Sequence, residues 1–379
     1  MRLPYSRQSI NSDDVRAVVR ALKSDYITTG QKITEFETAL SRATGAPFVS
    51  VLSSGTAALH AAYAILGLGP GDEVVMPPLT FAATANAALY LGARPVFADV
   101  DHCTGLLDPS AASAAVTPRT RAIVGVDYAG LPVDYRAIRE RVSRKDIVII
   151  ADAAHSLGAA QDGCPVGTLA DLTTFSFHPV KSITTGEGGA VATADATWHA
   201  RINDFRSHGI VRDHNRLSRV DGPWYHEMQH LGYNYRLTDF QCALGVSQLG
   251  RLDRFLGRRR AIALRYDRAF AEAPGLQLPG HRLGAESAHH LYVLRVNQAG
   301  ARRAFFSELT QAGLSVQVHY IPVYWHPHYQ RLGYARGLCP TAEDFYQRAV
   351  SIPIFPSMTN ADVDRVIAVV RSVAHRLFA

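Results

Sequence analysis

The sequence predicts an α/β protein, with a large first domain on a mainly parallel sheet and a smaller C-terminal α/β domain. Three observations carry this expectation. Residues 47–191 alternate short β-branched runs with alanine-rich helical stretches, the rhythm of strands joined by crossover helices. The strand-like runs are apolar throughout instead of alternating, as strands covered on both faces are. The rhythm changes near residue 250, and the 379 residues exceed the roughly 250 to 300 at which one core stops growing.

The elements follow in order. FVSVLS (48–53) reads as a strand leading into the helix GTAALHAAYAIL, and EVVMP (73–77) as a strand leading into TFAATANAALYLG. RAIVGVDY (121–128) precedes the helical DYRAIRERV, and the strands DIVIIAD (146–152), LTTFSF (172–177) and GAVAT (189–193) close the domain. A long helical segment spans about 238–273, with a break expected near Gly250 or Gly257 and an end at the Ala-Pro-Gly turn of 273–275. The second unit holds strands at HHLYVLRV (289–296) and VQVHY (316–320), and helices over 301–312, around 343–350 and over 362–377. The boundary is placed at 250, giving domains 1–250 and 251–379.

Composition narrows the function classes. The chain is 47% hydrophobic and 19% charged, a globular balance. Its formal charge of +6 is scattered, without the basic stripe of a nucleic-acid binder. Cys103, Cys164, Cys242 and Cys339 are far apart, with no zinc spacing, so they read as reduced thiols and no metal is expected. The start MRLPYSRQSINSDD lacks an apolar signal core and no run is long enough to span a membrane, so a cytoplasmic location is expected.

Two glycine patterns are set aside or held open. LGLGPGDE (66–73) resembles a dinucleotide fingerprint but ends a helix and enters a strand, the reverse of what that motif requires. SSGTAAL (53–59) sits where a strand hands over to a helix. Its first-turn amides, with Ser54 and Thr56, suit a phosphate; a plain serine N-cap is the alternative.

The stretch SFHPVKSITTGEGGAV (176–191) contains one of four lysines, Lys181, in a chain whose other cations are mostly arginine. A lysine can lose its proton in a desolvated site and attack a carbonyl, which arginine cannot do. IIADAAHSLGA (149–159) places Asp152 and His155 just past a buried strand, where a carboxylate needs a cationic partner to remain ionised. An N-cap aspartate with a packed histidine is the alternative there. A phosphate cradle, an aspartate for a ring nitrogen and a lysine for an aldehyde are the three fixtures that pyridoxal phosphate needs.

With these motifs in hand, the sequence resembles the DegT/StrS family of pyridoxal-phosphate sugar aminotransferases. The likeness runs through ITTG (27–30), SSGTAAL, PPLTFAATANA (77–87), ADAAHSLGA, SFHPVKSITTGEGGAV, FRSHG (205–209), LGYNYRLTDFQCALGVSQL (231–249) and VQVHYIPVY (316–324). It implies an aspartate-aminotransferase-like fold (fold type I), a homodimer with shared active sites, and L-glutamate as amino donor to a nucleotide-linked keto sugar. Within the family, VDYAG, FRSHG and AEDFY (342–346) are most similar to the branch serving pseudaminic acid biosynthesis, which aminates carbon 4 of UDP-2-acetamido-2,6-dideoxy-β-L-arabino-hexos-4-ulose. Members acting on other UDP-, GDP- or dTDP-linked keto sugars are the alternative, as is a non-catalytic regulator that binds the cofactor. The branch that dehydrates or deoxygenates sugars carries histidine at the lysine position, and Lys181 argues against it.

The resemblance also implies roles. Lys181 takes the Schiff-base position and Asp152 pairs with the pyridinium nitrogen. Ser54, Gly55, Thr56 and Ser176 fall at phosphate-binding positions, and Asn234 at one that reaches the phosphate from the partner subunit. Phe81 stacks on the ring, and His155 lies beside the ring or its phenolic oxygen. Tyr26, Thr29, Arg236, His319 and Tyr320 lie in motifs that face the sugar nucleotide or glutamate. Arg236 suits a carboxylate, with a dimer-interface salt bridge as the alternative; for His319 the alternative is a buried histidine of the small domain.

Overall fold

The computed structural model describes residues 2–379. Seven strands form the central sheet: β1 (Phe48–Leu52), β2 (Glu73–Met76), β3 (Arg94–Phe97), β4 (Thr120–Val126), β5 (Val148–Asp152), β6 (Leu172–Ser176) and β7 (Gly189–Thr193). Their order is β1-β7-β6-β5-β4-β2-β3. Both faces are covered, and the residues of β2 and β7 are all buried, which is why the strands read as unbroken apolar runs.

The GAVAT strand departs from the parallel expectation. β7 pairs antiparallel with β1 and with β6, while the neighbouring pairs elsewhere in the sheet are parallel. The connection from β6 contains no crossover helix, and a parallel return needs one or its equivalent. Instead the chain folds on itself, with Phe177 N–H donating to the Gly188 carbonyl at 2.8 Å and Thr185 N–H to the Phe177 carbonyl at 3.0 Å. That closed loop carries Lys181.

The long helical segment is two helices, Asp239–Leu249 and Leu252–Phe270. The break falls at Gly250, and Gly257 stays inside the second helix. Beyond it, Leu276–Gln277, Tyr292–Val296 and Ala349–Ile352 form an antiparallel three-stranded sheet, packed with helices Arg302–Gln311 and Asn360–Phe378. Tyr266, Tyr292, Phe305 and Val370 belong to its buried cluster, which Leu3 joins from the other end of the chain.

Two expectations here need correction. VQVHY is not a strand, since only Gln317 makes an isolated bridge, to Ser351; the chain then turns into the cleft, where the Tyr128 hydroxyl donates to the His319 carbonyl. The helix expected around 343–350 is Pro340–Arg348, and Val350 lies in the following strand. A proline at the first helical position explains the earlier start. Among the described residues no helix is long and apolar enough to cross a membrane.

Candidate active site

The carboxyl ends of β1, β2, β4, β5 and β6 converge on a cavity of about 510 Å³, closed on another side by His319 and Tyr320. This is the place where sheets of this kind take their ligands, and the volume suits a small-molecule cofactor with substrate.

After β1, Ser54 caps the helix Gly55–Ala64, its hydroxyl accepting from Ala57 N–H at 3.0 Å. The first-turn amides of Gly55 and Thr56 stand before that bond, at the positive end of the helix. The cradle is tight: a Cβ on Gly55 would lie 2.9 Å from the Ser176 Cβ, and one on Gly189 would lie 2.4 Å from the Ser54 carbonyl oxygen. Glycine at both places lets β6 and β7 approach the helix start. The serine N-cap raised for SSGTAAL is present, and the residues of that same turn line the cavity.

Gly55→Ala is expected to weaken pyridoxal-phosphate binding roughly tenfold or more, since overpacking typically costs about 1–3 kcal/mol. Fluorescence titration of the cofactor-free protein measures this directly.

Asp152 ends β5 and is 6% exposed. Its Oδ2 accepts from the Thr84 hydroxyl at 2.6 Å and its Oδ1 from Ala154 N–H at 3.2 Å. Burial pushes its carboxyl up from the usual range; Thr84, Ala154 and the nearby Lys181 pull the other way. A cation placed in the cavity would hold it ionised.

Lys181 faces the same cavity. Desolvation pushes its ammonium down to about 8, against the opposing attraction of Asp152. In the cofactor-free protein the amine is therefore protonated below that value and neutral above it. Its labelling by an amine reagent is expected to rise with pH through a midpoint near 8. In Asp152→Asn the midpoint should fall, because the charge favouring the ammonium is gone. Mass spectrometry of the Lys181 peptide across a pH series checks both.

His155 is buried, and its Nε2 lies 3.0 Å from the Tyr320 hydroxyl. Its ring packs 4.2 Å from that of His290, and its buried Nδ1 has no partner. Burial, then the charges of Lys181 and His319, holds the imidazole well below its usual range, so it is neutral. His319 is likewise pushed down, to about 4, by burial, and its Nδ1 lies 2.8 Å from the Ser351 hydroxyl. Phe81 lines the cavity with its ring 63% exposed, its centroid 6.3 Å from that of Tyr320.

Of the residues expected from the sequence, Ser54, Gly55, Thr56, Phe81, Asp152, His155, Ser176, Lys181, His319 and Tyr320 meet around this one cavity. Tyr26, Thr29, Asn234 and Arg236 do not line it. Tyr26 is 67% exposed, Asn234 lies on the surface beside Ser207, and the Arg236 Nε is buried without a partner. Tyr5, Thr80, Thr84, His178 and Glu187 also line the cavity. His178 and Glu187 stood within the lysine motif, whereas Tyr5, 176 residues upstream of Lys181, carried no sequence signal.

The donor set fits pyridoxal phosphate. A neutralisable amine suits an aldehyde, a buried carboxylate suits a ring cation, and helix-start amides with serine hydroxyls suit a phosphate.

Comparisons with known proteins agree. Residues 8–371 match the profile of the DegT/DnrJ/EryC1/StrS aminotransferase family. The spore coat polysaccharide biosynthesis protein SpsC of Bacillus subtilis is 40% identical, over 98% of this chain and 97% of its own. Helicobacter pylori PseC, an aminotransferase involved in the biosynthesis of pseudoaminic acid, superposes with a TM-score of 0.93 at 32% identity, covering 99% of this chain and 100% of that one. The Streptococcus pneumoniae putative sugar aminotransferase Spr1654 in its PLP form superposes with a TM-score of 0.92 at 32% identity, covering 100% of both chains; its PMP form is similar at 0.93.

Proposed function

The chain belongs to the DegT/DnrJ/EryC1/StrS aminotransferase family and is a pyridoxal-phosphate-dependent sugar aminotransferase, and from that premise we propose its site residues and its substrate. The amino group passes from L-glutamate to carbon 4 of a nucleotide-linked 4-keto-6-deoxy sugar, UDP-2-acetamido-2,6-dideoxy-β-L-arabino-hexos-4-ulose. The observation that carries the chemistry is one cavity that holds Lys181, Asp152 and the Ser54–Gly55–Thr56 turn together.

Pyridoxal phosphate supplies an aldehyde to carry nitrogen and a ring to accept an electron pair. The protein supplies the rest. The helix amides at Gly55 and Thr56, with Ser54 and Ser176, bind the phosphate. Asp152 keeps the ring nitrogen protonated, so charge developing on the ring is neutralised in a dry site. Lys181 would hold the cofactor aldehyde at rest, and its amine, neutral when released, would take the proton from the amino-acid α-carbon and deliver it at C4′. Fixed beside both atoms, it acts as an intramolecular base and acid. Phe81, His155 and Tyr320 wall the ring, and neutral His155 adds no competing positive charge.

The exposed Asn234 and the partly buried Arg236 are assigned to the cavity of a second subunit, Asn234 to the phosphate and Arg236 to the glutamate carboxylate. Tyr26 and Thr29 are assigned to the sugar nucleotide there. Exposed apolar side chains in the same N-terminal segment as Tyr26, namely Ile10, Val15, Val19, Leu22 and Ile27, support a homodimer. We place the enzyme in the cytoplasm, with a large domain of residues 1–250 and a small one of 251–379.

The sugar assignment is supported by the similarity to PseC. Purified enzyme should be offered UDP-, GDP- and dTDP-linked 4-keto-6-deoxy sugars with glutamate, and each amino sugar identified by mass spectrometry and NMR. The fastest turnover is expected on the UDP-linked N-acetyl sugar. Preference for another nucleotide or a sugar lacking the acetamido group would overturn the substrate while leaving the transaminase intact.

A further inference from the structure

We propose that Thr84, with Thr80 behind it, is a positioning residue of this site: it fixes the Asp152 carboxylate so that its unused lone pairs serve the ring nitrogen of the cofactor. The proposal rests on the reading of Asp152 given above.

The chain of contacts has a defined direction. An ionised carboxylate only accepts hydrogen bonds, and a threonine hydroxyl has a single proton to give. Thr84 lies 2.6 Å from Asp152 Oδ2, so its proton is committed there. Its oxygen is then the acceptor for Thr80, 2.7 Å away. Thr80 donates to Thr84, and Thr84 to Asp152.

Thr84 is itself held from several sides. It is fully buried at the start of the helix Ala83–Tyr90. Its N–H donates to the Phe81 carbonyl at 3.2 Å, and its carbonyl accepts from the buried Tyr63 hydroxyl at 3.1 Å. With backbone and hydroxyl both anchored, the Asp152 oxygen cannot turn without breaking a buried bond. The Ala154 amide fixes the other oxygen. Both bonds also favour the ionised carboxylate, against a larger burial cost. A ligating group whose orientation is set by a second layer of hydrogen bonds is the arrangement that precise sites use.

The same contacts could serve only to satisfy a buried acid, and binding separates the two roles. The probes are pyridoxal phosphate and its analogue with the ring nitrogen replaced by carbon, titrated into the cofactor-free protein. Wild type is expected to prefer the nitrogen-containing ring. Thr84→Val removes the hydroxyl at nearly constant volume and should shrink that preference about tenfold, the worth of a hydrogen bond to a charged group; Thr84→Ser should restore it. A purely structural role would weaken both probes equally or lower the Tm alone, and an undiminished preference in a folded Thr84→Val protein overturns the proposal. Should Thr84→Val fail to fold, Thr80→Val leaves Thr84 in place but frees its hydroxyl to turn. It should shrink the preference by a smaller factor, and an unchanged preference there is equally contradictory. A wild type that binds neither probe would instead refute the reading of Asp152 and the cavity.

Discussion

Lys181→Ala should lower kcat by about 10⁴-fold or more, the upper end of what a positioned proton-transfer group contributes. The phosphate cradle at Ser54–Thr56 and the Asp152 carboxylate are untouched by the substitution, so the variant should still bind pyridoxal phosphate. After borohydride reduction the wild type should carry the cofactor mass on the Lys181 peptide, and the variant should carry none. Lys181→Arg should be as inactive as alanine, because a guanidinium stays protonated. The two variants distinguish a positive charge from a removable proton. Trapping of the cofactor on another residue would transfer the role elsewhere.

Asp152→Asn should lower kcat by roughly 10² to 10³-fold, the range seen when a preorganised electrostatic group is removed. The amide keeps the shape of the carboxylate and loses the charge that holds the ring nitrogen protonated. Its effect on stability should have the opposite sign. The carboxyl of Asp152 is raised in the folded protein by burial, so a stabilising contribution exists at low pH and is lost as pH rises through the folded-state value. At neutral pH the ionised, cofactor-free carboxylate is a cost. Asp152→Asn should therefore raise the Tm of the cofactor-free protein while removing activity, a trade common at functional sites. Calorimetry of the cofactor-free proteins at neutral and acid pH checks this, and the gain should shrink toward acid pH.

The large domain was legible because its buried strands declare themselves: the apolar runs of β2, β4 and β5 admit few other readings. β3, Arg94–Phe97, escaped because it opens with Arg-Pro, a pair that reads as a strand edge or a turn. The direction of β7 escaped because strand composition is the same either way; only the helix-free connection through Lys181 decides it. The helix Ser12–Leu22 is marked by the Asn11–Asp14 capping box and the helix Gln31–Thr44 by the left-handed Gly45 at its end. In the second unit, VQVHY alternates like a strand, yet its far end is drawn into the cavity by the Tyr128 hydroxyl.

The site shows the same division. Ser54, Asp152 and Ser176 stood at the ends of predicted strands, with Lys181 in the connection that follows Ser176, where their chemistry was conspicuous. Thr80 and Thr84 were hidden in the alanine-rich LTFAATANA, where a hydroxyl four residues from another is unremarkable until Thr84, in the first turn of its helix, meets Asp152 and Thr80 meets Thr84. Tyr5 reaches the cavity from a segment tied to the small sheet, with Ile354 N–H donating to its carbonyl at 3.1 Å, a contact no local pattern encodes. Asn234 and Arg236 stand apart from the cavity of the single chain, and their proposed place is the cavity of a second copy.

In the reading proposed above, this cavity passes an amino group by way of a bound pyridoxal cofactor, with Lys181 holding that cofactor at rest and moving the proton. The most direct measurement is the absorbance of the wild-type holoenzyme on addition of L-glutamate without any sugar. The account predicts loss of the pyridoxal band, appearance of the pyridoxamine band, and release of 2-oxoglutarate equal to the cofactor converted. A spectrum unchanged by glutamate, in protein shown to hold its cofactor on Lys181, would contradict it.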